Sequence, residues 1–385
     1  MGSIRKFVDK IKPTFSKGGK LGFLESTFEA FETFLFVPNT TTRRGAHIRD
    51  CNDMKRTMIM VVVALIPALL FGMYNTGYQH FLSQGATPEL WPAFWFGFLK
   101  VLPMIIVSYV VGLGIEFAFA QWRGHEVNEG FLVSGLLIPM IMPVDIPLWI
   151  LGLSTAFAVI FGKEVFGGTG MNVFNPALVA RVFAFLAYTP SMSGTKVWIA
   201  GMTAGEGVVD GFSGATPLEN LVTTGQMGYS VSDAFFGFIP GSVGETSTVA
   251  ILLGAAILLF TGIASWRTMV SVFAGGLLMG LVFNWCGTSE YTQIPCWHHL
   301  IIGGFAFGAV FMATDPVTSA QTATGQYIVG FLIGVLAVVT RVVNPAYPEG
   351  MMLAILFMNA MAPLVDYYVV EANVKRRNKR IKTVK

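Results

Sequence analysis

The chain has 385 residues, 54% of them hydrophobic and only 12% charged, with a formal net charge of +3. Soluble domains carry about 25% charged residues, so this composition excludes a soluble globular enzyme and points to an integral membrane protein. Forty-three glycines are more than lipid-facing helices use, and they suit close helix packing and broken helices.

Residues 1–55 read as a cytoplasmic extension. Within it, Phe23, Leu24, Phe28, Phe31, Phe34 and Leu35 recur at helical spacing and predict a short amphipathic segment over Leu21–Phe36, its apolar face covered by a partner or the membrane surface. Positive charge is concentrated at two places. Arg43, Arg44, Arg49, Lys55 and Arg56 precede the first apolar run, and Lys375, Arg376, Arg377, Lys379, Arg380, Lys382 and Lys385 follow the last. By the positive-inside rule both termini are cytoplasmic, which requires an even number of crossings. Flanking a membrane domain, these basic ends read as orientation signals facing anionic headgroups rather than as a nucleic-acid surface. No secretory signal is expected, because the first long apolar run begins near Met58 and no cleavage-type motif follows it.

Apolar spans are predicted at about 57–75, 94–120, 130–142, 147–163, 172–188, 246–263, 268–285, 299–313, 326–342 and 350–370. Several fall short of the roughly 20 residues that a full crossing takes, and 130–142, 172–188 and 299–313 are the short candidates beside helix breakers. Helix breakers sit beside them: Pro139, Pro143 and Gly167-Gly168-Thr169-Gly170 in the first half, Asp315-Pro316 and Thr322-Ala323-Thr324-Gly325 in the second. An Asn-Pro pair closes the break in each half, at Asn175-Pro176 and Asn344-Pro345. Paired interruptions in two halves are the mark of an inverted repeat. The expected fold is therefore an all-α membrane protein of about ten transmembrane helices, in two inverted five-span repeats with broken half-helices. Its parts are an extension (1–55), a first repeat (56–188), an intervening loop (189–245), a second repeat (246–371) and a basic cytoplasmic tail (372–385). Five crossings from the inside bring the 189–245 loop to the outer face.

The glycines of Lys163-Glu164-Val165-Phe166-Gly167-Gly168-Thr169-Gly170-Met171-Asn172-Val173-Phe174-Asn175-Pro176-Ala177 let backbone approach a ligand or another helix. Asn172 and Asn175 present both donors and acceptors, suited either to a heteroaromatic ring or to capping half-helices. Three carboxylates lie within apolar segments: Glu116, Asp315 and Asp366. Burying a charge in a bilayer costs at least ~2.5 kcal/mol, so such groups mark ion pathways or paired charges. For Glu116 the paired alternative is a bridge to Lys163 or Arg181, for Asp315 a helix cap, and for Asp366 an interfacial position beside Tyr367 and Tyr368. His298-His299 beside Trp297 reads as a structural boundary pair. Cys51, Cys286 and Cys296 form no cluster motif, so neither iron–sulfur ligation nor another metal site is expected. No Gly-x-Gly-x-x-Gly fingerprint follows a strand, so any NADH site lies on another chain.

The loop Asp210-Gly211-Phe212-Ser213-Gly214-Ala215-Thr216 resembles the motif at which flavin transferases attach FMN, through its phosphate, to a threonine hydroxyl. The acceptor would be Thr216, with Asp210, Ser213, Gly214 and Ala215 forming the motif. Small neighbours and a bendable backbone would let the hydroxyl enter another enzyme's active site. Together with Arg123-Gly124-His125-Glu126-Val127-Asn128-Glu129-Gly130, the 163–177 segment and Pro348-Glu349-Gly350-Met351-Met352, it makes nearly the whole chain, from Thr41 to Arg377, similar to the family of B subunits of sodium-translocating NADH:quinone oxidoreductases. The D subunits of Rnf complexes are related, and the long N-terminal extension favours the quinone-reductase group.

That resemblance implies covalent FMN on Thr216, riboflavin near Asn172 and Asn175, quinone as electron acceptor and Na+ as the transported ion. Glu116, Asp315 and Asp366 become candidates for the ion pathway, and Gly112, Phe183 and Phe185 for a quinone pocket. Implied partners are five other subunits, one of them a periplasmic FMN carrier, and a flavin transferase. The implied location is a bacterial inner membrane, with Thr216 on the periplasmic side. A redox-inactive channel or transporter of the same inverted-repeat plan is the rival from another class.

Overall fold

The computed structural model describes residues 2–15, 54–123, 130–205, 208–209, 212–287, 290–344 and 349–383, with scattered residues between 19 and 46. Helix α1 spans Gly2–Phe15, ahead of the predicted 21–36 segment, most of which lies outside the described residues. Too few of its residues are apolar to mark it by composition. Contacts from the next segment hold it: Phe28 stacks on Phe15 with ring centroids 4.8 Å apart, and the buried Glu32 carboxylate pairs with Lys12 at 2.7 Å and Arg5 at 3.5 Å.

The membrane-like body starts with α2 (Met54–Ser83) and α3 (Leu90–Arg123), which are apolar along most of their length and pack on each other. Then come α4 (Phe131–Ile141), α5 (Leu148–Gly162) and α6 (Pro176–Ala187). After two short helices, α7 (Pro217–Thr224) and α8 (Val231–Phe236), the second half has α9 (Thr248–Phe260) and α10 (Trp266–Cys286). It continues with α11, a turn at Phe305–Phe307 running into a π-turn over Gly308–Met312, then α12 (Ala323–Val343) and α13 (Met351–Thr383). No strand occurs among the described residues. Each predicted apolar run coincides with helical structure. Among the described residues, six segments are long and apolar enough to cross a membrane: Lys55–Ser83, Leu90–Arg123, Leu148–Phe166, Trp266–Cys286, Ala323–Val343 and Met351–Arg380. Phe131–Ile141, Pro176–Ala187 and Thr248–Phe260 are shorter apolar helices.

Burial explains how the short helices persist. Every residue from Gly135 to Ile141 in α4 and from Phe305 to Met312 in α11 is buried, so protein rather than lipid surrounds their ends and can satisfy the freed backbone groups. Their side chains, Met140 and Phe305 among them, share one core with α2, α6, α9, α12 and α13. Glycine sets how closely the long helices approach: a Cβ on Gly275 of α10 would sit 2.2 Å from the Phe331 carbonyl oxygen of α12, and one on Gly334 would sit 2.1 Å from that of Val272. Such small-residue contacts replace the hydrophobic drive that helices lose in lipid.

The 189–245 segment packs against one end of α2. Asn75 Nδ2 donates to the Ile239 carbonyl at 2.9 Å, His80 Nδ1 lies 2.7 Å from the Ala200 carbonyl, and Phe71 meets Phe238 edge-on. Thr57 and Met58, near the other end of α2, face Asp315 across a cleft. Seventeen residues separate Met58 from Asn75, or ~26 Å at 1.5 Å per residue, so the two ends of the body are a membrane's thickness apart.

Candidate functional site at two ends of the helical body

At the Thr57 end, a cleft with about 790 Å³ of empty space lies between the two halves, lined by Asn172, Asn175, Lys163, Thr169, Thr314 and Asp315 among others. Asn175 is the N-cap of α6: its side-chain oxygen accepts from Ala177 N at 3.0 Å, and Pro176 occupies the first helical position. Its Nδ2 donates to Asp315 Oδ2 at 3.3 Å, joining two breaks that lie 140 positions apart in the chain. Asp315 also accepts from Val317 N at 3.1 Å and Thr318 Oγ1 at 3.0 Å, bonds that close a turn and do not cap a helix, since the next helix starts at Ala323. Asn172 donates to the Phe174 carbonyl at 3.0 Å and is buried at the cleft wall. The structure thus brings three of the predicted residues, Asn172, Asn175 and Asp315, to one cleft.

Glu116 does not line this cleft. Its carboxylate pairs with the Lys163 ammonium, both groups being buried, and next to them Arg123 pairs with Glu164 at 3.5 Å. Lys163 reaches the cleft wall, so the pair forms its charged back. Asp366 on α13 is neither in the cleft nor a plain interfacial residue. It accepts from Gln321 N at 2.7 Å, Thr322 N at 3.1 Å and Thr322 Oγ1 at 2.5 Å, holding the break that precedes α12.

At the other end, Thr216 is the N-cap of α7: its Oγ1 accepts from Glu219 N at 3.2 Å, and Pro217 follows it. The side chain is half-buried and stands at the rim of a second cavity, with about 350 Å³ of empty space. Gly214 and Ala215 are small for a reason other than exposure. Both are buried, and a Cβ on Gly214 would sit 2.3 Å from the Thr195 carbonyl oxygen and 2.9 Å from Met202 Sδ. The loop is therefore pinned to residues 195–202 rather than loose, and among its described residues only Ser213 is exposed. Tyr229 OH donates to the Ala215 carbonyl at 3.1 Å, and burial pushes that hydroxyl's pKa up, keeping it a donor. Burial also raises the pKa of the Glu219 carboxyl above its ordinary value. Asp210 lies outside the described residues, as do positions 124–129 and 345–348 of the other motifs.

Each quinone candidate packs on its own neighbours. Gly112 makes room for Phe131, whose ring carbons would lie 1.9 Å from a Cβ there. Phe183 stacks on Phe157 at 4.2 Å, and Phe185 packs against the main core. His299 is buried beside Tyr291, and its carbonyl accepts from Arg341 at 2.7 Å, in keeping with a structural role.

A family profile described as NQR2, RnfD, RnfE matches residues 41–375, spanning both cavities. The chain belongs to that family. It is 46% identical to the B subunit of the Na(+)-translocating NADH-quinone reductase of Chromohalobacter salexigens, over 98% of this chain and 96% of that one. To the proteins of the same name from Stutzerimonas stutzeri and Ectopseudomonas mendocina it is 46% and 47% identical, over 97% of this chain and 98% of each relative.

One feature of this NQR2, RnfD, RnfE family member escaped the sequence reading. Arg181 of α6, only 2% exposed, donates from Nη1 to both Glu245 oxygens at 2.9 and 3.0 Å and from Nη2 to Glu349. Arg341 of α12 is fully buried nearby and donates to the carbonyls of His299 and Ile302. Glu245 and Glu349 line the Thr216 cavity and also a smaller one against Gly304, Gly308 and Met312. The available signal was an arginine inside each of two apolar helices, Arg181 and Arg341, since unpaired charge there is prohibitive.

Proposed function

We propose that this chain is the membrane subunit of a sodium-translocating NADH:quinone oxidoreductase, a bacterial inner-membrane complex whose NADH site lies on another subunit. Thr216 carries FMN through a phosphoester, and Asn172 and Asn175 hold riboflavin in the inner cleft. Flavins supply reversible electron uptake and release. The observation that carries the reading is Thr216 Oγ1 itself, a half-buried hydroxyl at the N-terminus of an eight-residue helix beside a cavity. Backbone N–H groups and the helix dipole there favour a phosphate.

The residues of the inner cleft fit a ring bearing alternating donors and acceptors. The Asn172 and Asn175 amides offer both, Thr169 and Thr314 add hydroxyls, and Leu137, Leu258 and Phe311 supply apolar walls. Asp315 orients Asn175, and Lys163 sets positive charge at the same wall. Ten spans in two inverted repeats, with both termini cytoplasmic, put Thr216 on the periplasmic side, facing the FMN-carrying partner among five other subunits, while quinone accepts the electrons. Glu116, Asp315 and Asp366 remain the ion-pathway residues of this reading. Their observed partners mean that a Na+ ion must displace an ammonium, an amide or a hydroxyl to reach them. Moving one charge against ~150 mV costs about 3.5 kcal/mol, which one electron falling through the same potential supplies.

Mass spectrometry of the chain, purified from a host holding a flavin transferase, tests the reading beside Thr216→Val. A mass gain of one FMN less water on the 211–220 peptide, absent from the variant, is expected. An unmodified chain removes the electron-carrier reading and leaves the channel in its place.

A further inference from the structure

Helix α13 runs on past the body that anchors it. Its Asp366 holds the break at Gln321 and Thr322, a few residues past the cleft residues Asp315 and Val317. Tyr367 and Tyr368 beside it are both exposed, where aromatic side chains mark a membrane boundary. From there the helix continues unbroken to Thr383. Every side chain from Ala372 to Arg380 is exposed, and five of the six in Lys375-Arg376-Arg377-Asn378-Lys379-Arg380 are cationic. At about 100° per residue, Lys375, Lys379, Arg376 and Arg380 fall within one face about 140° wide. Val374 and Ile381 lie on the opposite side with Arg377 and Asn378 between them, so no continuous apolar stripe lets this segment lie in a membrane surface.

Orientation in a membrane needs these cations but no particular backbone, so it does not account for a helix here. Repulsion opposes one: Lys375 and Lys379, and Arg376 and Arg380, are like charges four positions apart, and Glu371, paired with Lys375 at 2.8 Å, is the only acidic residue after Asp366. The helix dipole favours cations only in its last turn. A helix that is polar all round holds when it bridges to another body. We infer that the Lys375, Arg376, Lys379 and Arg380 face of α13 docks an acidic surface of another protein of the complex, bound in the water beyond the Thr57 end. The inference rests on the chain's being a subunit of a larger assembly and not on flavin chemistry. Lipid phosphates reach only the near end of this face. Arg380 stands twelve positions past Tyr368, or ~18 Å, whereas a headgroup layer of about 5–7 Å and one Debye length of ~8 Å extend no further than about 15 Å.

Amide hydrogen exchange over the 371–383 peptides tests this in three preparations: the isolated full chain in nanodiscs of neutral lipid, the same chain in nanodiscs containing phosphatidylglycerol, and the whole complex in neutral lipid. Exchange should be severalfold slower in the complex than in either preparation of the isolated chain. A zero-length carbodiimide reagent should also join Lys375 or Lys379 to an Asp or Glu of a second polypeptide. Lys375→Gln/Arg376→Gln/Lys379→Gln/Arg380→Gln should release that polypeptide at a severalfold lower salt concentration than the parent complex does. If this variant fails to insert, the parent preparations decide. Equal slowing by phosphatidylglycerol gives the face to lipid and overturns the proposal, as do equal exchange in all three preparations and cross-links confined to this chain. A chain that purifies with no other polypeptide overturns the assembly and the docking together, whereas an intact complex without the protection overturns the docking alone.

Discussion

The two ends of the helical body hold charge in different ways. At the Thr57 end the Lys163–Glu116 pair, with Arg123–Glu164 next to it, backs a wide cleft, and the other polar groups lining it are amides, hydroxyls and the Asp315 carboxylate. At the Thr216 end one arginine serves two carboxylates between two small cavities, with a second buried arginine close by. The first arrangement consists of polar contacts that a ligand or ion can replace one at a time. In the second, a single guanidinium bonds both carboxylates at once, so moving any member disturbs the others. Adaptable binding is thus expected at the Thr57 end and rigid positioning at the Thr216 end.

The largest effect that sharpens this contrast is at Arg181. Arg181→Leu leaves the buried Glu245 and the half-buried Glu349 without the guanidinium that bonds them and should cost about 3–5 kcal/mol. The loss should appear as a lower thermal midpoint in detergent. Arg181→Lys should recover only part of it, because an ammonium lacks the two-pronged geometry that meets both glutamates. If the lysine variant is as stable as the parent, the outer network is no more demanding than a simple pair and the contrast fails.

A smaller effect is expected at the inner cleft. Asn175→Ala removes an N-cap, about 1 kcal/mol, together with a charge-assisted bond to Asp315, about 1.5–3 kcal/mol. Asn172→Ala removes one local bond to the Phe174 carbonyl, about 1 kcal/mol. Riboflavin retention on gel filtration should fall for both, while the thermal midpoint falls chiefly for Asn175→Ala. Equal midpoints would mean that Asn175 does not tie the two halves together.

The smallest effect separates packing from accessibility in the Thr216 loop. Gly214→Ala overfills the contact with Thr195 and should cost about 1–3 kcal/mol, lowering the fraction of chain carrying the Thr216 adduct by intact mass. Ser213→Ala, at an exposed position, should stay within about 0.5 kcal/mol and keep full adduct. The reverse order would make Ser213 the residue that the transferase reads.

The sequence by itself determined what short-range chemistry determines. Apolar runs, proline and glycine breaks and asparagine before proline marked the helices and their interruptions, and Asn175 occupies the capping position its sequence suggested. Charge count and hydropathy settled the membrane character, and the small-residue loop pointed to Thr216. Partner choice was decided only in the tertiary structure. Arg181 meets Glu245 and Glu349 across 64 and 168 positions, and Asn175 meets Asp315 across 140. Of the two partners the sequence allowed Glu116, Lys163 is the one it takes, because Arg181 is held by Glu245 and Glu349. Periodicity records which residues must leave water or lipid, but not which of several buried charges will lie within a few ångströms. That depends on how the short helices α4, α6 and α11 stack between the long ones.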